Sequence, residues 1–176
     1  MMKFWANTKL WFQQAVDKYQ RPLTRYARGI LRNLEPAREV VQESFLRLWK
    51  NGEVESGNPL RIWLYRTTRN LAIDHLRKEG RMESLSENDE EQLPCPEQMP
   101  SEALEKKQAS KNIMSEVDSL PAKYQEVLRL KFQEELSYKE ISEVTGHSVS
   151  HVGVLLHTAI LNLRQSLAQS GGRNEG

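Results

Sequence analysis

Residues 136–167 read "LSYKEISEVTGHSVSHVGVLLHTAILNLRQSL". Ser137 and Glu140, three apart, mark the start of a helix. The hydroxyl of such a pair takes an orphan backbone N–H, and the carboxylate reaches back to the cap's own N–H. Ile141 and Val144 follow as the apolar side of a short helix. Gly146 ends it, because glycine is free to take positive φ. Ser148 caps a second, longer helix whose inward stripe is Val152, Leu155 or Leu156, Ala159, Leu163 and Leu167. Helix, three-residue turn Gly146-His147-Ser148, helix is the arrangement of a DNA-reading helix-turn-helix, with Ile141, Val152 and Leu155 placed to pack the pair crosswise. An ordinary helical hairpin shares the pattern. The second helix holds no Lys or Arg between Val149 and Asn162, an unusual composition for a helix that reads DNA.

Outward from this stretch the apolar spacing stays helical. Trp11, Phe12, Ala15, Val16 and Tyr19 form one stripe. Pro22 fits the first position of a helix, where its missing N–H costs nothing. Leu23, Tyr26, Ala27, Ile30, Leu31 and Leu34 then follow at helical intervals. Pro36 restarts the pattern through Ala37, Val40, Val41, Phe45 and Leu48. Residues 50–59, "KNGEVESGNP", break it, and Asn58-Pro59 reads as a cap and first turn. A helix then runs to about Glu79, with Gly80 as its stop. Residues 81–100 have no period. Ser101 is a candidate cap for the next helix, which ends before Pro121 and carries Ile113, Val117 and Leu120. Pro121 opens another, with Tyr124, Val127 and Leu128 inward. No segment alternates as a strand does. The expected fold is all-α: two small helical domains, 1–80 and 101–170, joined by a flexible acidic linker at 81–100, with a disordered tail at 171–176.

Charge is distributed in the same way. The chain of 176 residues has a net charge of +1. Residues 1–82 hold 16 basic and 8 acidic side chains, residues 83–105 hold 8 acidic and none basic, and residues 106–176 hold 9 and 8. A basic block, an acidic connector and a near-neutral block suggest two domains on a tether, the first able to attract a polyanion. Cys95 is the single cysteine, so no internal disulfide forms, which fits a reducing compartment. The start "MMKFWANTKLWFQQ" lacks a signal peptide's apolar run. No stretch approaches the roughly 20 apolar residues that span a bilayer. A cytoplasmic protein without membrane insertion is expected.

The four histidines, with one cysteine and no carboxylates clustered beside them, do not suggest a metal site. No nucleophile-base pattern or glycine-rich phosphate loop appears. Neither cofactor nor catalytic activity is expected. The helix of residues 59–79 interleaves Arg61, Arg66, Arg69, Arg77 and Lys78 with Trp63 and Tyr65. Cations neutralise phosphates and aromatics stack on unpaired bases. A core Trp63 with a solvated arginine face accounts for the same residues. On the helix of residues 36–49, composition alone makes Glu39, Gln42, Glu43 and Arg47 an ordinary solvated face.

The stretches "EPAREVVQESFLRLWKN", "NPLRIWLYRTTRNLAIDHLRKEGR" and "LPAKYQEVLRLKFQEELSYKEISEVTG", with the acidic linker before the last, resemble in that order the bacterial extracytoplasmic-function sigma factors of the sigma-70 family. The resemblance spans about Leu10 to Leu167. It implies that Gln42 and Glu43, with Arg38 and Glu39 one turn earlier, grip a coiled coil of the core RNA polymerase. That reading displaces the solvated face. It implies that the loop 51–58 and the following helix melt and read the promoter −10 element. The loop would hold a flipped base, and Asn58, Arg61, Trp63, Tyr65, Arg66, Arg69, Asn70 and Arg77 would contact the opened strands. The cost of unstacking a base, a few kcal/mol, is what a pocket and backbone cations offset. The acidic linker would thread toward the polymerase's RNA path, its charge imitating RNA.

The helix-turn-helix would read the −35 element, and here the sequence departs from the commoner basic pattern. Ser148, Ser150, His151, Val154, His157 and Thr158, with Lys139 from the preceding helix, would make the contacts. They offer hydrogen bonds, a helix N-terminus for a phosphate and apolar contact with thymine methyls. Weak −35 binding with a shallow salt dependence follows. An anti-sigma factor is an implied further partner. A second reading is a sigma-like decoy that occupies an anti-sigma factor without reading DNA. It suits the uncharged last helix but leaves the basic, aromatic helix of residues 59–79 without a purpose. A stand-alone repressor leaves residues 36–79 unexplained.

Overall fold

The computed structural model describes residues 2–52, 57–80 and 113–171. The linker at 81–100, the Ser101 cap, the centre of the 51–58 loop and the tail past Gly171 lie outside the described residues. All regular structure among the described residues is helical: α1 (Met2–Leu31), α2 (Leu34–Asn51), α3 (Asn58–Lys78), α4 (described over 113–119), α5 (Ala122–Leu128), a π-helical turn (Arg129–Gln133), α6 (Tyr138–Thr145) and α7 (Val149–Gly171). Contacts group the chain into two compact units, α1–α3 with residues 139–147 in one and α4, α5 and α7 in the other.

The two expected N-terminal helices are one helix of 30 residues, with Pro22 inside it. Proline removes one backbone N–H and crowds the turn before it. The helix continues because its apolar residues pack on one side across the proline: Ala15, Tyr19, Leu23, Tyr26, Ala27 and Leu31 are all buried. Thr24 Oγ1 donates to Gln20 O at 2.7 Å in the same turn. The next boundary also differs from expectation. Arg32 takes φ 59° and ends α1. Asn33 caps α2, its side chain accepting from Glu35 N at 3.1 Å, so Leu34 opens α2 and Pro36 sits in its first turn. The cap of α3 is Gly57 at φ 97°, with no side-chain bond, and Asn58 is the first helical residue.

The three helices pack as a bundle. Helix α2 buries Ala37, Val40, Val41, Phe45 and Leu48; α3 buries Leu60, Leu64, Tyr65, Ala72 and Leu76. Phe12 packs edge-on against Phe45 and Trp49, and Tyr26 lies 5.3 Å from the Tyr65 ring. One polar pair sits in this core. Ser44 Oγ lies 2.9 Å from Thr68 Oγ1 and 2.8 Å from Val40 O, which it donates to. Both residues are fully buried. Each hydroxyl has a partner, as a buried polar group requires.

In the second unit, Val117, Leu120, Val127, Leu128, Leu130 and Leu136 are buried, as are Val152, Leu155, Leu156 and Ala159 of α7. Both Leu155 and Leu156 face inward, whereas Leu167 is exposed and Ser166 takes a buried place instead. Gln125 donates to Asp118 O at 2.9 Å and also to Leu120 O, taking up carbonyls at the end of α4. The guanidinium of Arg129, largely buried, pairs with the Asp118 carboxylate. Within α6, Ile141 and Val144 are buried, and Gly146 at φ 81° closes the helix.

Glu135 takes φ 53°, a left-handed conformation that costs a non-glycine residue about 1–2 kcal/mol. Glycine there loses that penalty but gains about 0.4–1 kcal/mol of unfolded-chain entropy. Glu135→Gly is therefore expected to raise stability slightly, and Glu135→Val to lower it by about 1 kcal/mol or more. Urea denaturation of the three proteins checks the order. A glycine variant less stable than the valine variant would contradict the backbone account.

Candidate polymerase and promoter surfaces

Helix α2 presents its polar side opposite the buried Val40, Val41 and Phe45. Arg38, Glu39 and Gln42 are exposed and Glu43 is half-buried. Two ion pairs order this face: Arg38 to Glu35 at 2.8 Å and Arg47 to Glu43 at 3.0 Å. The four residues expected to bind polymerase therefore form one surface. It is larger than the sequence suggested. Between α1 and α2 lies an open groove of about 750 Å³ whose apolar wall is Phe12, Val16, Val41, Phe45 and Leu46, with Arg38 and Gln42 on its polar side. Leu46 and Trp49 are each nearly half exposed beside it. The sequence analysis placed Phe12 and Phe45 in apolar stripes, which do not tell how closely two helices approach. The exposed Leu46, one position from the inward stripe, was the available signal.

Helix α3 sorts its predicted residues into three groups. Trp63, Arg66, Asn70 and Arg77, spaced three, four and seven residues apart, share the face opposite the core. Arg66, Asn70 and Arg77 are exposed and Trp63 is half-buried, so part of its ring reaches solvent. Asp74 lies on the same side, 3.6 Å from Arg77. Arg61 and Arg69 are half-buried, Arg61 one turn before Tyr65 on the side of the core, and Asn58 is exposed at the helix start. Tyr65 does not belong to this face. It is 1% exposed with its ring against Tyr26, so the expectation that it touches opened DNA is corrected: burial leaves no ring face for a base. It supports α3 from beneath.

On α7, Ser150, His151, Val154, His157 and Thr158 fall on one outward face, with Val154 61% exposed. Leu161 extends the same face and is also exposed. Ser148 Oγ accepts from His151 N at 3.1 Å, so the cap hydroxyl is committed to the helix. Lys139 on α6 is exposed. Tyr138 leans over Gly153, where an added Cβ would lie 3.7 Å from the ring, and Lys131 Nζ lies 5.5 Å from the Tyr138 centroid. Phe132 is 62% exposed. The outward face of α7 is thus apolar and hydrogen-bonding, with no Lys or Arg from Val149 to Leu161. Among the described residues no group of histidines, cysteines and carboxylates is arranged to hold a metal.

Residues 15–82, which include the α3 face and every groove residue but Phe12, match the family model of sigma-70 region 2, and residues 110–163 match that of sigma-70 region 4. The chain is a sigma factor of the sigma-70 family. It belongs to the extracytoplasmic-function group and serves RNA polymerase in promoter-directed transcription. Among its relatives, the sigma factor SigV of Bacillus subtilis is 26% identical, with 96% of this chain and 98% of SigV aligned. The extracytoplasmic-function factor SigW of the same species is 29% identical over 89% and 88%. The SigE factor of Mycolicibacterium smegmatis is 28% identical, and the chain spans 62% of its length. The fold matches the sigma factor RpoE co-crystallised with the anti-sigma factor NepR from Bartonella quintana, with a TM-score of 0.61 and 21% identity over 88% of this chain and 94% of that one. No helix among the described residues of this sigma factor is long and apolar enough to cross a membrane.

Proposed function

We propose that this sigma factor docks on core polymerase through α2 and braces opened promoter DNA on the outward face of α3. The single observation carrying the reading is the gathering of Trp63, Arg66, Asn70 and Arg77 on one face of α3. A half-exposed aromatic among cations is what an unstacked strand needs: a ring for a base and charge for the backbone. Arg38, Glu39, Gln42 and Glu43 on α2 would pair with basic and polar groups of the polymerase, with the adjoining groove taking an apolar side chain. The protein acts in the cytoplasm, carries no catalytic group and needs no cofactor. Residues 1–80 and 101–170 act as separate modules on the 81–100 linker.

The α7 face supports −35 contact through Ser150, His151, Val154, His157 and Thr158, and the exposed Lys139 of α6 is a further candidate contact. Bidentate arginine–guanine readout is absent from its first turns. Cation loss sets the salt slope of DNA binding, at about 0.9 per phosphate contact. Val154→Arg is therefore expected to steepen the salt dependence of promoter binding by about one such unit. Filter binding from 50 to 200 mM salt on a promoter fragment reads the change. An unchanged slope would mean that α7 does not lie on the duplex. The exposed Val154, Leu161 and Phe132 also suit an apolar protein surface, and an anti-sigma factor is the partner we assign to it.

Run-off transcription with purified core polymerase on pooled genomic promoter fragments tests the whole reading. Discrete transcripts that need this protein and vanish with Arg66→Ala support it. Absence of both core binding and transcripts, with an anti-sigma factor captured instead, would favour the decoy.

A further inference from the structure

Helix α4 is tied to the chain that follows it at two places of unequal strength. At its end the ties are full hydrogen bonds and an ion pair. Gln125 donates to Asp118 O at 2.9 Å and to Leu120 O, and the Arg129 guanidinium meets the Asp118 carboxylate. One turn nearer its start, Met114 Sδ accepts from Gln133 Nε2 at 3.3 Å. Gln133 is the last residue of the π-helical turn, and it is half-buried, as is Met114.

A thioether is a weak acceptor, and among the described residues it is the one partner of this amide N–H. The other end of the side chain fares worse: Gln133 Oε1 is buried with no donor. Buried polar groups are ordinarily satisfied, and one that is not calls for a reason, a redox role among them. Methionine in a core commonly fills an apolar gap, which leaves the amide opposite its sulfur unaccounted for. A better acceptor at the sulfur accounts for it.

We propose that Met114 is a site of oxidation by hydrogen peroxide and that Gln133 holds the product. The sulfur takes one peroxide oxygen and gives up two electrons. The O–O bond breaks, an S–O bond forms, and the other oxygen leaves as water. The product is a polar sulfoxide in place of an apolar thioether. Half exposure of Met114 gives the oxidant access. The three rotatable bonds of methionine let the new oxygen turn to the Gln133 N–H. Elsewhere a sulfoxide disrupts the packing around it. Here a donor stands ready, so oxidation strengthens the weaker tie of α4 to the π-helical turn. Methionine sulfoxide reductases reverse the step, so the second unit carries a contact that an oxidant sets and a reductase clears.

The test uses the full chain with Cys95→Ser, which removes the thiol from the reaction. Hydrogen peroxide is added, sulfoxide at each methionine is read by peptide mass spectrometry, and thermal unfolding is followed before and after. Met114→Leu, treated alike, subtracts the effect of the other four methionines. The parent should oxidise at Met114, melt no earlier than before treatment once that subtraction is made, and return to its starting midpoint with the reductases. Gln133→Leu should melt several degrees earlier after oxidation, because its sulfoxide has no donor. Gln133→Glu, which keeps the size of the side chain but donates nothing when ionised, gives the same comparison if the leucine variant does not fold. A Met114 that stays a thioether while other methionines oxidise would overturn the proposal. So would a parent that melts earlier after oxidation, or a shift that is the same with and without the Gln133 amide.

Discussion

Trp63→Ala and Tyr65→Ala, two residues apart, are expected to fail in different ways. Tyr65 is 1% exposed and packs on Tyr26. Truncating a buried aromatic costs about 3–5 kcal/mol, and a domain's whole stability is about 5–15 kcal/mol. The Tyr65 variant should therefore melt much earlier, and core binding and transcription should fall together. Trp63 lies on the outward face of α3, so its loss should spare the fold and core binding. What it removes is a stacking platform worth about 1–3 kcal/mol per base. That corresponds to roughly 5- to 150-fold less opened promoter at about 1.4 kcal/mol per tenfold. Thermal melts, core-binding titrations and permanganate footprinting of the opened region separate the two. If Trp63→Ala opens the promoter as well as wild type, α3 does not brace the strand through this ring.

The second large effect is expected on α2. Glu39 and Gln42 are exposed, one turn apart, on the face that carries the Arg38–Glu35 and Arg47–Glu43 pairs. Substitution at such positions changes stability by about 0.5 kcal/mol or less. Glu39→Lys with Gln42→Lys reverses the local sign, and a like-charge encounter at an interface costs several kcal/mol. Core affinity should drop by about 30-fold or more, taking about 2 kcal/mol as the low end for a truncated interface charge pair. Transcription should recover at high concentrations of the variant, since the promoter face is untouched. Fluorescence titration against core polymerase measures the first effect and run-off transcription the second. Wild-type affinity in the double variant would show that the polymerase grips another surface.

Much of this molecule was legible in its residues, for physical reasons that can be named. The helix at Asn58–Lys78 was readable because Leu60, Leu64, Thr68, Ala72 and Leu76 repeat at one-turn intervals. The stop at Gly146 and the Ser148 cap were readable because few residues satisfy those backbone positions. Pro22 misled because its local preference for a helix start was outweighed by a continuous apolar stripe on both sides. The Asn33 cap was hidden behind Leu34, which fits the periodicity of either helix. Of the site residues, those on the outer side of α3 were named from the family resemblance, since spacing alone left Trp63 open between core and surface. Tyr65 was named with them and does not belong there, because a tyrosine on a helix flank can face either way, and only the position of Tyr26 decides. The α1–α2 groove had no sequence signal beyond Leu46, since a cavity depends on how closely two helices approach.

The turn at Arg129–Gln133 closes with Glu134 N bonded to Arg129 O at 3.0 Å, five residues back. It therefore holds one residue more than an α-helical turn. Removing a single residue there, even the exposed Phe132, would tighten the turn to an ordinary α-helical one and leave the exit of the chain in nearly the same direction, because either turn completes one revolution. The segment therefore carries a spare residue. Single-residue deletions here should be better tolerated than deletions within α5 or α7, where each would rotate the residues that follow by about 100°.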